Sequence, residues 1–260
     1  MTEILIHPSA IVSPKARLGT GVRIGAFAVI ADDVEIGDNT EIQPLAVVHN
    51  GARIGVECRL FSGCVIAGEP QDLKFKGEPT LAIIGDRTVV RECSTVNRGT
   101  AETSKTEIGA GCLIMAYSHV AHDCKVGDRV ILSNCTQLAG HVTIEDWAIL
   151  GGMAKVVQFC SIGAHSMIGA DVKITKDTPP FALVGRDPAR IEGINKIGLR
   201  RRNFTDDAIA AIEQAYNAIF FSGRNITDGI NYCRANKLDA DPEVAKILSF
   251  IERSKKGVLR

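Results

Sequence analysis

From Ile6 onward, aliphatic side chains recur at every sixth position. The column reads Val12, Leu18, Ile24, Ile30, Ile36, Ile42, Val48, Ile54, Leu60 and Ile66, resumes at Ile84, Val90 and Val96, and runs unbroken from Ile108 to Ile174. Of the 29 multiples of six from 6 to 174, 26 hold Ile, Leu or Val, although these types account for only 65 of the 260 residues. Four residues after each aliphatic stands a small or medium side chain, as at Ala10, Ala16, Val22, Ala28, Cys58 and Cys64, and glycine often follows the aliphatic directly, as at Gly19, Gly25, Gly109 and Gly127. An amphipathic helix would repeat at i, i+3, i+4 and i+7 instead. Two inward residues and a turn, three times per coil of 18, predict an all-β solenoid, a parallel β-helix, over residues 1–190. One coil cannot bury its own aliphatic face, but stacked coils bury continuous columns, which β-branched residues suit.

Two stretches break the columns and are expected to be loop insertions: residues 68–82, GEPQDLKFKGEPTLA, and 99–107, GTAETSKTE. Loops leaving a rigid solenoid commonly carry binding groups, the alternative being tolerated decoration. The repeat stops at Thr178-Pro179-Pro180, where two prolines remove ladder donors and are expected to end the strands. Residues 191–260 then read as a C-terminal helical domain closing one end. Thr205-Asp206-Asp207 is an N-cap signal before Ile209, Ile212, Tyr216, Ile219 and Phe220, a run that Gly223 ends. Thr227 is expected to start a second helix, and Asp241-Pro242-Glu243 a third reaching about Ser254.

Thirty basic residues balance thirty acidic ones. Nothing global therefore argues for nucleic acid or an anionic membrane surface, and an anionic ligand must be met locally. With no signal-peptide pattern and no apolar run of roughly 18 residues, a cytoplasmic location without a membrane span is expected. The eight cysteines form no C-x-x-C pair, and Cys58, Cys64, Cys112, Cys124 and Cys160 occupy the small inward slot, which reads as core packing.

Three of the six histidines fall within 23 residues, at His119, His122 and His141. A coil of 18 stacks residues 122, 140 and 158, so His122, Gly140 and Gln158 share one edge, flanked by His119 and His141. An imidazole is the usual general base at neutral pH, and Asp123 beside His122 could orient it. Two other readings stand: turns that merely accommodate histidine, as at His7, His49 and His165, and a zinc site drawing on His119, His122 and His141. The second signal is the run Asn195-Lys-Ile-Gly-Leu-Arg-Arg-Arg202, either a local phosphate site or a solvated helix start.

Five blocks taken together resemble one family: His119-Val-Ala-His-Asp-Cys124, Leu138-Ala-Gly-His-Val142, Gly151-Gly-Met-Ala-Lys-Val-Val-Gln-Phe159, Gln71-Asp-Leu-Lys-Phe-Lys-Gly-Glu78 and Asn195 to Arg202. It is the acyl-carrier-protein–UDP-N-acetylglucosamine O-acyltransferase family, within the hexapeptide-repeat acyltransferases, and the resemblance spans essentially the full length. It implies left-handed winding, against the usual crossover rule, and a homotrimer with active sites between neighbouring subunits. The implied reaction moves an (R)-3-hydroxyacyl chain from the phosphopantetheine thioester of acyl carrier protein to the 3-hydroxyl of UDP-N-acetylglucosamine, the first step of lipid A biosynthesis. No covalent acyl-enzyme, metal or separate cofactor is implied.

By the same resemblance, His122 is the base, Asp123 supports it, and the Gly140 N–H faces the oxyanion. Asp72, Lys74, His119 and His141 line the sugar and pantetheine pocket, Gln158 reaches the nucleotide or pantetheine, Asn195, Arg201 and Arg202 hold the UDP phosphates, and Ala170 limits acyl length. Val157 departs from the family, which often has a histidine before the glutamine. The rival readings are the sister N-acyltransferase, which normally carries an extra N-terminal domain whereas the hexads here begin at Ile6; a zinc hydro-lyase resembling γ-class carbonic anhydrase; and a non-catalytic scaffold.

Overall fold

The computed structural model describes residues 3–260. Its strands, mostly two residues long, stack into three sheets of eleven, nine and eight strands. The first sheet runs from Leu5–Ile6 through Met167–Ile168 and Ala182–Gly185 to Arg190–Ile194, the second from Ile11–Val12 to Lys173–Ile174, and the third from Arg17–Leu18 to Ser161–Ile162. Up to Lys173–Ile174, consecutive strands in the chain belong to different sheets, so each coil contributes one strand to each face of a triangular prism. Partners sit 18 residues apart, as Ile6 with Ile24, Val120 with Leu138 and Leu132 with Leu150. The architecture is a left-handed parallel β-helix of hexapeptide repeats with helices at its C-terminal end.

The sixfold register survives both insertions because each adds a multiple of six. Leu60 pairs with Val90, thirty residues on, and Val90 with Ile114, twenty-four on. Both insertions leave the same edge, where the second sheet passes to the third. They are shorter than the sequence suggests. Leu81–Ile84 and Lys105–Ile108 are strands paired along four residues, so the excursions occupy 69–80 and 98–104. The pairing of Leu81 with Lys105 continues the ladder outward beyond the hexad, and polar residues there are compatible with a solvated strand end.

Columns of Ile, Val and Leu fill the prism, and Cys58, Cys64, Cys112, Cys124 and Cys160 are buried among them. Burial pushes the Cys64 and Cys124 thiols up to about 12, which makes them inert packing groups. The corners are not confined to Gly, Asp and Asn, the residues that most readily adopt positive φ. Phe27, Leu45, Tyr117, Trp147, Met153 and Phe159 all hold positive φ. Each such conformation costs about 1–2 kcal/mol in an L-residue. At most of these positions an N–H···O bond to the coil beneath compensates, as from Leu45 to Ala26, Tyr117 to Glu92, Trp147 to Asp128 and Met153 to Asn134.

The two prolines do not end the strands. Pro180 lies in a corner against Gly163, where no ladder donor is needed, and Ala182–Gly185 still pairs in parallel with Met167–Ile168 before Arg190–Ile194 folds back antiparallel on it. Four helices follow: α1, Lys196–Arg201; α2, Asp206–Tyr216, capped by Thr205 and continued by a π-helical turn Asn217–Phe221; α3, Ile226–Ala235; and α4, Pro242–Arg253, capped by Asp241. The cap of α3 is Asn225, not Thr227, because the Asn225 carboxamide accepts from the Asp228 N–H. The helices dock through fully buried Tyr216, whose hydroxyl donates to the Pro180 carbonyl, and through Ser254, which donates to Asp177 at 2.6 Å. None of the described helices is long and apolar enough to cross a membrane.

Candidate active site

The edge between the second and third sheets gathers the histidines. His119–Val120 pairs with Gln137–Leu138, and four residues then turn the corner to Lys125–Val126 in the third sheet. Val120 and Cys124 point into the column, which leaves His122 and Asp123 to face outward. One coil above lie Gly140 and His141, and above them Gln158 and Phe159, joined by His141 N–H to the His122 carbonyl at 3.1 Å and Phe159 N–H to the Gly140 carbonyl at 3.3 Å.

Asp123 organises the group. Its side chain is fully buried, and each carboxylate oxygen accepts two hydrogen bonds: Oδ1 from Thr100 N at 3.0 Å and from the Thr103 hydroxyl, Oδ2 from the Thr100 hydroxyl at 2.8 Å and from His122 Nδ1 at 2.7 Å. Burial alone would raise this carboxyl, but the bonds from Thr103, His122 and Thr100 outweigh it and hold the group at about 2. An ionised carboxylate only accepts, so Nδ1 of His122 carries a proton, and in the neutral imidazole the lone pair then lies on Nε2. That nitrogen lies directly beneath Gly140. A Cβ on Gly140 would sit 2.6 Å from Cε1 and 2.8 Å from Nε2 of the imidazole. The Gly140 N–H, at the outer position of its turn, donates to no acceptor among the described residues.

His141 closes one side of the pocket, its ring stacked on Phe159 at 4.7 Å and set edge-on to His122 at 5.3 Å. Its Nε2 lies 3.5 Å from Glu102 and 3.6 Å from Asp123. His119 bonds Thr95 Oγ1 through Nδ1 at 2.7 Å, and burial, then the neighbouring His122, lowers its pKa, so it faces the site neutral. Gln158 is exposed on the same edge. Asp72 and Lys74 ride on the 69–80 excursion, where Asp72 caps a turn by accepting from Lys74 N at 2.9 Å. Arg98 pins that excursion by stacking on Phe75, with Asn97 donating to the Glu69 carbonyl at 2.9 Å.

The groups that could share one ion are His122, Asp123 and His141, with ligand atoms within 4.8 Å of one another, rather than His119, His122 and His141. The 2.7 Å separation of His122 Nδ1 and Asp123 Oδ2 is that of a hydrogen bond. Two ligands of a tetrahedral zinc stand roughly 3.3 Å apart. As they stand, these two atoms are spaced for a hydrogen bond to each other, closer than two zinc ligands would be.

The remaining expected residues lie on other edges of the same chain. Asn195 and Arg202 meet the edge between the third and first sheets, at His165 and Trp147. Asn195 is buried as the N-cap of α1: its carboxamide oxygen accepts from Gly198 N at 3.1 Å and its nitrogen donates to the His165 carbonyl at 2.9 Å. One N–H of the carboxamide nitrogen is left for a further acceptor. Arg202 stacks over Trp147 at 5.1 Å and donates to His165 Nδ1 at 3.2 Å, while Arg201 is exposed. Burial, then the charges of Arg202 and Lys246, lowers His165 to about 4. A cavity of about 540 Å³ lined by Trp147, His165, Phe181 and Lys246 opens there. Ala170 is exposed on the third edge, between the first and second sheets. Thr95, Thr100, Thr103 and Glu102 carried no signal in the sequence, being isolated polar residues whose relation to the site exists only in three dimensions.

Two family models match the chain: UDP N-acetylglucosamine O-acyltransferase, domain 2, over residues 177–259, and bacterial transferase hexapeptide (six repeats) over 105–140. A protein of Herminiimonas arsenicoxydans is 42% identical over 260 residues, covering 98% of this chain and 99% of its own. One of Stenotrophomonas maltophilia strain K279a is 44% identical over 257 residues, covering 98% and 97%. Both are named acyl-(acyl-carrier-protein)–UDP-N-acetylglucosamine O-acyltransferase. Among solved structures, the UDP-N-acetylglucosamine acyltransferase of Bacteroides fragilis superimposes with a TM-score of 0.97 at 42% identity, covering 98% of this chain and all of its own. That of Francisella novicida gives 0.95 at 34% identity, covering 98% and 94%.

Proposed function

Because the chain belongs to the UDP-N-acetylglucosamine O-acyltransferase family, we propose that it moves an (R)-3-hydroxyacyl group from the thioester of acyl carrier protein to the 3-hydroxyl of UDP-N-acetylglucosamine, with His122 as general base. The observation that carries this reading is the free Nε2 of His122 beside the unpaired Gly140 N–H, with Nδ1 fixed by a saturated carboxylate.

In the reaction, Nε2 takes the proton of the sugar hydroxyl as its oxygen attacks the thioester carbonyl. The carbonyl oxygen becomes an oxyanion and receives the Gly140 N–H. Collapse reforms the carbonyl and breaks the carbon–sulfur bond, and the imidazolium returns its proton to the departing phosphopantetheine sulfur. Ester and thiol are the products, and the imidazole is neutral again. Asp123 stays ionised throughout and stabilises the transient imidazolium. Transfer is direct: the thiol of Cys124, next in the chain to Asp123, is buried and held up at about 12, far from a nucleophile's range.

The acceptor's diphosphate calls for cations, and Arg201 and Arg202 lie on a different edge from His122. A homotrimer that sets that edge of one subunit against the histidine edge of the next would assemble both halves in one cleft. His119, His141, Asp72, Lys74 and Gln158 then line the sugar and pantetheine side, and exposed Ala170 meets the acyl tail.

The test is incubation of the purified protein with UDP-N-acetylglucosamine and (R)-3-hydroxyacyl carrier proteins of several chain lengths, with product mass as the readout. His122→Gln is expected to fold normally and lose about 10²–10⁴ in turnover. No acylated sugar nucleotide from any donor would overturn the reaction, and wild-type turnover in His122→Gln would remove the base.

A further inference from the structure

We propose that the 98–104 excursion is a clamp for the Asp123 carboxylate, with Thr100 and Thr103 as positioning residues that act on the acyl transfer through Asp123 and His122; this rests on the reading above. At an ordinary corner of this prism the residue with positive φ donates its N–H to a backbone carbonyl of the coil beneath. At Asp123 the excursion has replaced the turn below, and the Asp123 N–H goes instead to the Thr106 hydroxyl at 2.8 Å. The same excursion supplies three of the four donors that saturate the carboxylate, the fourth being His122 itself.

The loop is built to hold this shape. Gly99 forms its neck, where a Cβ would lie 2.3 Å from the Lys105 nitrogen, and Ser104 N–H closes it on the Thr100 carbonyl at 2.8 Å. The Thr103 hydroxyl lies within reach of two acceptors, Asp123 and the Lys105 carbonyl at 2.9 Å, but has one proton, and the charged acceptor makes the stronger bond. The Thr100 hydroxyl donates to Asp123 and accepts the Glu102 N–H at 3.3 Å, so both of its roles are filled. Each carboxylate oxygen with two donors has no lone pair left for a proton or for a second histidine orientation. The clamp thereby fixes the imidazole's tautomer and aims Nε2 past Gly140.

The experiment compares Thr103→Val, Thr103→Ser and Thr100→Val/Thr103→Val with His122→Gln, all in the full-length protein and with steady-state constants for both substrates. Valine keeps the shape of threonine without the hydroxyl, and serine keeps the hydroxyl without the methyl. Thr103→Val is expected to lower kcat by about tenfold to a hundredfold, the range for losing an outer partner of an oriented histidine, with both KM values little changed. The double variant falls further, and Thr103→Ser stays near wild type. A packing role would give the opposite order, with valine tolerated and serine impaired, and that result overturns the clamp. Wild-type kcat in Thr103→Val, while His122→Gln is inactive, also overturns it and leaves the parent reading standing. Because Thr103 is exposed, its single variants are readable even where the double variant fails to fold.

Discussion

Gly140 has no side chain because His122 occupies the place where one would lie. The conflict is with a packed ring and not with backbone conformation, since Gly140 is not among the residues of positive φ. Gly140→Ala is therefore expected to displace the imidazole from its bond to Asp123, lowering the melting temperature and cutting kcat by at least about 10²-fold; steady-state kinetics beside a melting curve checks it. His165 makes a second prediction. Its imidazole titrates near 4 in the folded chain against an ordinary 6.5, so between those values the unfolded chain binds more protons. Stability from this group is complete above about pH 6.5 and declines as pH falls toward 4. The fall in Tm between pH 7 and pH 5 should be smaller in His165→Gln than in the wild type, and equal slopes would contradict it. At this scale the sequence was half readable. The stacking of His122 on Gly140 followed from period alone. The threonines around Asp123 were not legible, because a loop's path from Asn97 to Lys105 is set by contacts that no periodicity records. Nor was the cap that Asn195 provides to α1.

Among the elements, the corners show why hexads could be recognised and their turn chemistry could not. Inward positions obey a strict rule of volume, aliphatic at one and small at the other, where Thr40, Ser94 and Thr136 are buried as fully as Ala or Cys. The left-handed turn position accepts Phe, Leu, Trp or Met, because a hydrogen bond to the coil beneath offsets the local cost. Helices α2 and α4 were announced by Thr205 and Asp241, whereas α1, six residues long, was too short to show a pattern. Its cap ties α1 to the prism, and a graded series follows. Asn195→Asp keeps the acceptor for Gly198 N and loses the donor to the His165 carbonyl; Asn195→Ala loses both. The alanine variant is expected to cost about 0.5–2 kcal/mol of stability and to raise the KM for UDP-N-acetylglucosamine with kcat largely kept, the aspartate variant lying between. Denaturant melts and initial rates would show the order, and a kcat loss without a KM change would contradict it.

Across the whole molecule, the proposed reaction would draw on three edges of the prism. His122, Asp123 and both excursions share one edge, Arg202 and its aromatic bed lie on the second, and Ala170 lies on the third. On that proposal a single chain presents half-sites, which symmetric association would make whole. The most direct measurement of this account mixes two inactive chains, His122→Gln and Arg202→Ala, by co-refolding, and reads kcat/KM for UDP-N-acetylglucosamine. A cleft drawing His122 from one subunit and Arg202 from its neighbour predicts recovery to about a quarter of wild type, the random-pairing share of intact sites in a cyclic trimer. Activity no greater than that of either parent alone would contradict it.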